Sequence, residues 1–289
     1  MQGKIYKALS GFYYIHNGDS SVICTARGRF RNEKETPLVG DTVEYSMEDP
    51  NFGRIEKIEP RKNRFIRPAV ANIDQIIFVA SKAIPETEPF LIDRLSVIAE
   101  QQACLFAVCV NKEDLQPGEE FEKCYKKAGF AVIRTSTRDG TGIEELRNEM
   151  RGKTSVLTGN SGVGKSSLLN CLNPKLQLPT AVVSEKLGRG RHTTRHIELF
   201  RIEKTTFVTD TPGFSSIDIE TTAELDKDQL QYLFPEFRAF LGFCHFDNCA
   251  HMNEPDCAVK KAVQDGKIAK SRYSSYRRLY QICQTVKKW

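Results

Sequence analysis

No stretch of this 289-residue chain approaches the run of about 20 apolar residues needed to span a bilayer. The opening segment, MQGKIYKALSGFYY, also lacks the apolar stretch and small-residue cleavage site of a secretory signal. A cytoplasmic setting without a membrane partner is therefore the default expectation. Internal repeats and low-complexity tracts are missing too, which excludes solenoids and disordered linkers as the main architecture. Net charge is small: 42 Lys and Arg stand against 37 Asp and Glu, a net of +5. Attraction for a polyanion must then come from local clustering.

The composition, 40% hydrophobic and 27% charged, suits a chain that buries sizeable cores, and its length allows two or three modules. Of nine cysteines, Cys24, Cys104, Cys109, Cys124, Cys171 and Cys283 are scattered in mostly apolar contexts, as free thiols would be. The other three, Cys244, Cys249 and Cys257, cluster and read first as metal ligands.

Residues 1–66 read as short β segments at 11–15, 22–30, 42–46 and 54–58, separated by turns such as Asn17-Gly18-Asp19. Such a series suits a small barrel, of the oligonucleotide-binding (OB) or the SH3-like kind. Arg27, Arg29 and Arg31 alternate, so on a strand they would share one face. That face is either a nucleic-acid-facing stripe or a charge-protected edge.

From residue 67 the pattern changes. IDQIIFVA (73–80) and CLFAVCV (104–110) are nearly continuous apolar runs, as in central strands covered on both faces. Between them, 90–102 is an amphipathic helix with Leu91, Leu95, Ile98 and Ala99 at helical spacing. Further strands at 131–134, 155–158 and 206–209 imply a mostly parallel α/β sheet. Beyond 223 the chain turns helical and polar. The expected organisation is a barrel at 1–66, an α/β nucleotide domain at 67–222 and a helical metal-bearing domain at 223–289.

Gly159-Asn160-Ser161-Gly162-Val163-Gly164-Lys165-Ser166 matches GxxxxGK[ST], between a strand and a helix at 166–172 that begins with Ser166 and Ser167. Glycines let backbone amides wrap phosphates, Lys165 would neutralise the β- and γ-phosphates, and Ser166 would ligate Mg²⁺. Asn111-Lys112-Glu113-Asp114 matches NKxD and selects the base. The Asp114 carboxylate can accept from N1–H and the exocyclic amine of guanine, a pair that adenine does not offer. Thr135-Ser136 would complete the base pocket. Asp210-Thr211-Pro212-Gly213 matches DxxG: Asp210 would hold Mg²⁺ through water and the Gly213 amide would sense the γ-phosphate. The intervening GRGRHTT, from Gly188, reads as a flexible loop in which Thr193, or secondarily Thr194, would reach Mg²⁺.

The phosphate loop, NKxD, Thr135-Ser136 and DxxG each follow a predicted strand at its carboxyl end, where open α/β sheets bind ligands. Their order is permuted: NKxD and Thr-Ser precede the phosphate loop, whereas ordinary GTPases run the other way. The position after DxxG, where many GTPases carry Gln, is Phe214, so unassisted turnover should be slow. His192 is the candidate replacement for orienting water; the alternative is a loop residue with no chemical role.

Cys244, Cys249, His251 and Cys257 form C-x₄-C-x-H-x₅-C, three thiolates and an imidazole suited to one closed, structural Zn²⁺ site, with His245 as an alternative ligand. Residues 260–289 hold nine Lys or Arg and one acid, Asp265. A helix there would place Tyr273, Tyr276, Tyr280 and Cys283 in a stripe among Arg272, Arg277 and Arg278. The stripe is either core packing or an RNA-stacking face.

Barrel, NKED, GNSGVGKSSL, GRGRHTT, DTPGF and the Cys/His cluster together resemble the RsgA family of circularly permuted, ribosome small-subunit-dependent GTPases, over essentially the whole chain. The resemblance implies an N-terminal OB fold, a permuted GTPase domain that hydrolyses GTP to GDP, and a zinc-bearing C-terminal domain. It also implies late maturation of the small ribosomal subunit, contact with its rRNA, and His192 as the catalytic group beside Lys165 and Thr193. A monomer fits the modular layout.

Overall fold

The computed structural model describes residues 1–18, 20–28, 30, 35–66, 68–180, 197–210 and 225–285. The chain divides into two compact units. The first comprises Met1–Ile76, Arg147–Thr158 and Lys165–Ser215; the second comprises Ile77–Leu146, Gly159–Gly164 and Ser216–Trp289.

In the first unit, β1 (Gln2–Leu9), β2 (Phe12–Asn17), β3 (Ser20–Ala26), β4 (Thr42–Asp49) and β5 (Phe52–Ile58) form a closed barrel in the order β1-β2-β3-β5-β4. Alternation drives it: Ile5, Ile15, Val22, Cys24, Val43, Tyr45 and Ile55 point inward and are buried. The parallel β3–β5 pairing, Ile23 opposite Phe52, gives the OB topology rather than the SH3-like alternative. Strand β3 ends at Ala26, four residues earlier than expected. Arg27 is thus beyond the strand, where it pairs with Glu56 at 2.8 Å, so the proposed arginine stripe does not form on β3. Arg29 and Arg31 lie outside the described residues.

A small hairpin, β6 (Arg64–Phe65) with β7 (Val70–Ala71), leads to β8 (Gln75–Ala80), whose residues are divided between the units. In the first unit β11 (Thr154–Thr158) lies parallel to β13 (Thr206–Asp210), with β12 (Phe200–Glu203) antiparallel at the edge. Helix α4 (Lys165–Leu172) follows the phosphate loop. In the second unit β9 (Leu105–Asn111) runs parallel to β10 (Ala131–Thr135), with α2 (Glu119–Lys127) between them in the chain and α3 (Ile143–Met150) after β10.

Helix α1 (Pro89–Gln101), between β8 and β9, departs from its expected amphipathic pattern. Phe90, Ile92, Asp93, Leu95, Ser96, Val97, Ile98 and Ala99 are all buried, more than one face can account for. Its second buried face is covered by the C-terminal segment. Phe90 and Val97 join a core with Leu230, Phe234, Phe237, Val259, Ala262, Ile268, Tyr276 and Leu279. These residues come from 3₁₀ turns at Leu230–Leu233 and Pro235–Phe240, from α5 (Ala258–Gln264) and from α6 (Lys270–Thr285). The C-terminal segment therefore has a larger apolar core than a metal-held module needs.

Candidate functional site

In the second unit the guanine motif is set by the β9–β10 pair, which places Asn111 directly opposite Thr135. Asn111 is buried, and its amide is consumed at both ends. Nδ2 donates to the Val163 carbonyl in the phosphate loop at 2.9 Å, while Oδ1 accepts from Thr135 Oγ1 at 3.1 Å. Cys109 Sγ lies 3.3 Å from the same Thr135 oxygen. Because the Thr135 proton goes to Asn111, the Cys109 thiol is the donor. Burial pushes that thiol up to about 12, against a smaller opposing effect of Thr135, so it stays protonated.

Ser136 is buried and donates to Asp114 Oδ1 at 2.8 Å, while Asp114 itself is exposed. A carboxylate oriented from below yet open to solvent is what recognition of a donor pair requires. Lys112 adopts a left-handed backbone, φ 68°, and its ammonium donates to the Ile84 carbonyl at 2.8 Å.

The phosphate loop begins at Gly159, φ 140°, where a Cβ would strike the Val79 carbonyl. It closes at Gly164, φ 101°, where a Cβ would strike Asn111 Nδ2. Only glycine permits both the backbone angle and the approach. Val163 is buried, whereas Ser161 and Gly162 are exposed and Asn160 is half-buried. In the first unit Lys165, Ser166 and Ser167 occupy the first turn of α4.

Asp210 ends β13 opposite Leu157. Its side chain, and all of His192, Thr193, Thr194, Gly213 and Phe214, lie outside the described residues. Among the described residues, the buried hydroxyls of Thr158 and Thr209 find no hydrogen-bond partner. Each stands one residue before a sequence motif, Thr158 before Gly159 and Thr209 before Asp210.

The second unit also gathers Cys244, Cys249, His251 and Cys257, with their ligand atoms all within 4.8 Å of one another. Cys244 Sγ is 3.6 Å from His251 Nδ1 and 3.9 Å from Cys257 Sγ, and His251 Nδ1 is 3.3 Å from Cys257 Sγ. Tetrahedral Zn²⁺ with Zn–S of about 2.3 Å and Zn–N of about 2.0 Å implies ligand–ligand edges of about 3.5–3.8 Å, which these residues fit. His251 Nε2 lies 2.8 Å from Gln231 Oε1, an amide oxygen that can only accept. The ring proton therefore sits on Nε2 and Nδ1 is left for a metal. Burial lowers the His251 pKa, with Glu254 opposing, which favours the neutral ligand form.

The loop carrying these ligands is folded around Glu254, whose carboxylate accepts from the amides of Ala250, Met252 and Asn253 at 2.8–2.9 Å. His245 is exposed and stands outside the group.

Comparisons with known proteins follow the same lines. A family model described as RsgA GTPase matches residues 58–220, and one described as RsgA N-terminal domain matches 2–55. A curated relative from Agathobacter rectalis, "Small ribosomal subunit biogenesis GTPase RsgA", is 41% identical over the full length of both chains. A namesake from Caldanaerobacter subterraneus is 43% identical, covering 96% of this chain and 93% of that one. Among solved structures, YjeQ from Thermotoga maritima superposes with a TM-score of 0.83 at 33% identity, covering 99% of both chains. YloQ, titled a circularly permuted GTPase, gives 0.81 at 35% identity, covering 100% of this chain and 96% of that one.

The chain belongs to the RsgA GTPase family.

It is accordingly a GTP hydrolase with an N-terminal OB barrel, a circularly permuted P-loop GTPase fold and a C-terminal helical region bearing a Cys₃His group consistent with zinc. No helix among the described residues is long and apolar enough to cross a membrane. One expectation for the RsgA tail needs correction. Arg272, grouped with the cations of an RNA face, is fully buried. Its Nε and Nη2 donate to Glu236 at 2.6 and 3.1 Å, and Nη1 donates to Asp93 and Ser96 at 2.9 and 2.8 Å. Burial alone would lower its pKa, but Asp93 and Glu236 hold it above the ordinary value.

The tyrosine stripe is core as well. Tyr276 and Tyr280 are buried, and the hydroxyls of Tyr273 and Tyr276 donate to the carbonyls of His251 and Ala250 in the Cys/His loop. Arg277 is left exposed, while Arg278 pairs with Glu88 at 2.8 Å over the Phe90 ring. Sequence reasoning missed Cys109, Asp93, Gln231 and Glu254. A carboxylate inside an apolar helical run, as at Asp93, was the one local signal present.

Proposed function

We propose that this chain binds GTP and GDP with Mg²⁺, hydrolyses GTP under stimulation by the small ribosomal subunit, and acts in late maturation of that subunit while contacting its rRNA. The observation that supports nucleotide binding best is the Asn111–Val163 hydrogen bond, which joins the base-reading motif to the phosphate loop. The ribosomal role rests on the curated relatives, full-length matches whose names state small ribosomal subunit biogenesis. Domains at 1–66, 67–222 and 223–289, a monomeric state and a cytoplasmic location belong to the same reading.

In this scheme Asp114, aligned by Ser136, accepts the two guanine donors, and Asn111 with Thr135 keeps the pocket in register with the phosphate loop. Amides of residues 159–164 wrap the phosphates and Lys165 neutralises them. Ser166, Thr193 and Asp210 hold Mg²⁺, which supplies charge neutralisation on the phosphate oxygens when bound. The Gly213 amide reports the γ-phosphate, and His192 orients the attacking water in place of the absent Gln. Cys244, Cys249, His251 and Cys257 hold a structural Zn²⁺.

The test is steady-state hydrolysis of GTP and ATP, with and without purified small ribosomal subunits. Expected is slow intrinsic GTP turnover that rises at least tenfold with subunits, is absent with ATP, and drops in His192→Ala without loss of GTP affinity. Turnover unaffected by subunits would remove the proposed partner.

A further inference from the structure

The segment 81–87, between β8 and α1, is closed on itself by buried hydrogen bonds. The Ser81 amide donates to Thr87 Oγ1 at 3.0 Å, the Thr87 amide donates back to the Ser81 carbonyl at 2.9 Å, and Ser81 Oγ donates to the Ala83 carbonyl at 3.0 Å. Ser81 and Thr87 are themselves buried. At the surface Lys82 pairs with Glu86 at 2.9 Å across the same loop. None of the sequence motifs includes these residues.

The apex of the loop does two things. Its Ile84 carbonyl accepts the Lys112 ammonium at 2.8 Å, and Pro85 lies about 3.5 Å from where a Cβ on Gly162 would stand. One seven-residue loop thus bonds to Lys112 of the NKED motif and lies beside the phosphate loop.

Lys112 needs such an anchor. Its left-handed backbone is costly for a non-glycine residue and persists only when neighbours over-determine it. On the main-chain side the amides of Leu115 and Gln116 hold the Lys112 carbonyl. On the side-chain side the ammonium is held by the Ile84 carbonyl. A lysine left free would lose its rotamer freedom on nucleotide binding; one fixed beforehand does not.

We propose that Thr87 is a positioning residue of the guanine site: by closing the 81–87 loop it fixes the Ile84 carbonyl, which holds Lys112 in place for the nucleotide. This rests on the assignment of Lys112 to that site. The effect falls on binding of guanine nucleotide and not on the chemical step.

The test measures binding of a fluorescent GDP, and GTP turnover at saturation, in the full chain. Thr87→Val, which keeps the shape and removes the hydroxyl, is expected to weaken GDP about fivefold while turnover at saturating GTP stays within about twofold. Thr87→Ser should bind as the parent does. In a Lys112→Ala background, Thr87→Val should add almost nothing, because the group it positions is gone. Should Thr87→Val fold poorly by circular dichroism, Ser81→Ala loosens the same loop with its amide bond to Thr87 retained, and should show the same dependence on Lys112. A fivefold loss that persists in the Lys112→Ala background would overturn the proposal, as would an unchanged affinity in Thr87→Val. If Lys112→Ala alone leaves GDP affinity intact, the guanine-site assignment itself fails, a result distinguishable from the other two.

Discussion

The second unit contains two buried polar centres that look alike in composition and differ in use. Around Arg272, four donated hydrogen bonds end on Glu236, Asp93 and Ser96, and the guanidinium lies over the Phe234 ring at 4.6 Å. Every partner is internal, and nothing charged is left for a ligand. Around Asn111, the chain Cys109–Thr135–Asn111–Val163 is equally internal, but beside it Asp114 is held by one oxygen and stands exposed. The first centre uses charge to join helix α1 to the C-terminal segment; the second is built of neutral groups and leaves one carboxylate, the proposed guanine acceptor, open to solvent. A charged residue in a motif-like setting is therefore no guide to function until its partners are counted.

The largest way to break this contrast is through the Cys/His group, because a metal there would tie the loop on which Tyr273 and Tyr276 rest. Stripping the metal with a chelator, or replacing Cys249 with Ser, should unfold much of 225–285 and release one zinc per chain. Structural zinc contributes up to about 10–16 kcal/mol in small fingers, and the Phe234–Phe237–Tyr276 core should retain part of the structure here. Far-UV circular dichroism with metal analysis checks it; an unchanged melt after complete metal loss would reduce the site to an ornament on that core.

Next in size, Arg272→Ala should cost about 3–5 kcal/mol of stability, because Asp93 and Glu236 would be left buried and unpaired. Asp93 Oδ2 already lacks a hydrogen-bond partner in the described structure, so little slack exists to absorb the loss. Denaturant titration reads this directly. If Arg272 instead faced RNA, as its place in a basic tail suggests, the substitution would spare stability and weaken RNA binding.

That difference marks where the sequence is readable. NKED, the phosphate loop and the Cys/His cluster are short patterns whose expected chemistry follows from spacing, and the structure brings Cys244, Cys249, His251 and Cys257 together and joins Asn111 to Val163 by a hydrogen bond. The Arg272–Asp93 bond joins residues 179 apart, and no local pattern encodes it. The same holds for the end of β3: the alternation of Arg27 with its neighbours looks like strand, but the ladder to β5 runs out at Ala26–Ile55. For α1 the periodicity was readable for one face, while Asp93 and Ser96 on the other acquire their meaning from a partner that arrives late in the chain.

The smallest and sharpest test stays inside the nucleotide site. Asp114→Ala removes the acceptor itself and should weaken GDP by at least about 100-fold, since two charge-assisted hydrogen bonds are lost and the guanine donors are left unmet. Ser136→Ala leaves the carboxylate but removes the 2.8 Å bond that orients it, and should cost only about fivefold. Combined, the two should be no worse than Asp114→Ala alone, because Ser136 then has nothing to orient. Neither should move the melting midpoint by as much as Arg272→Ala, since Asp114 is exposed and its loss leaves no buried charge behind. Binding titrations and melts on the same preparations would place both centres on common axes, with Arg272 moving stability and Asp114 moving affinity. A large stability loss from Asp114→Ala would mean that its carboxylate is structural, and the guanine contact would have to be sought in another residue.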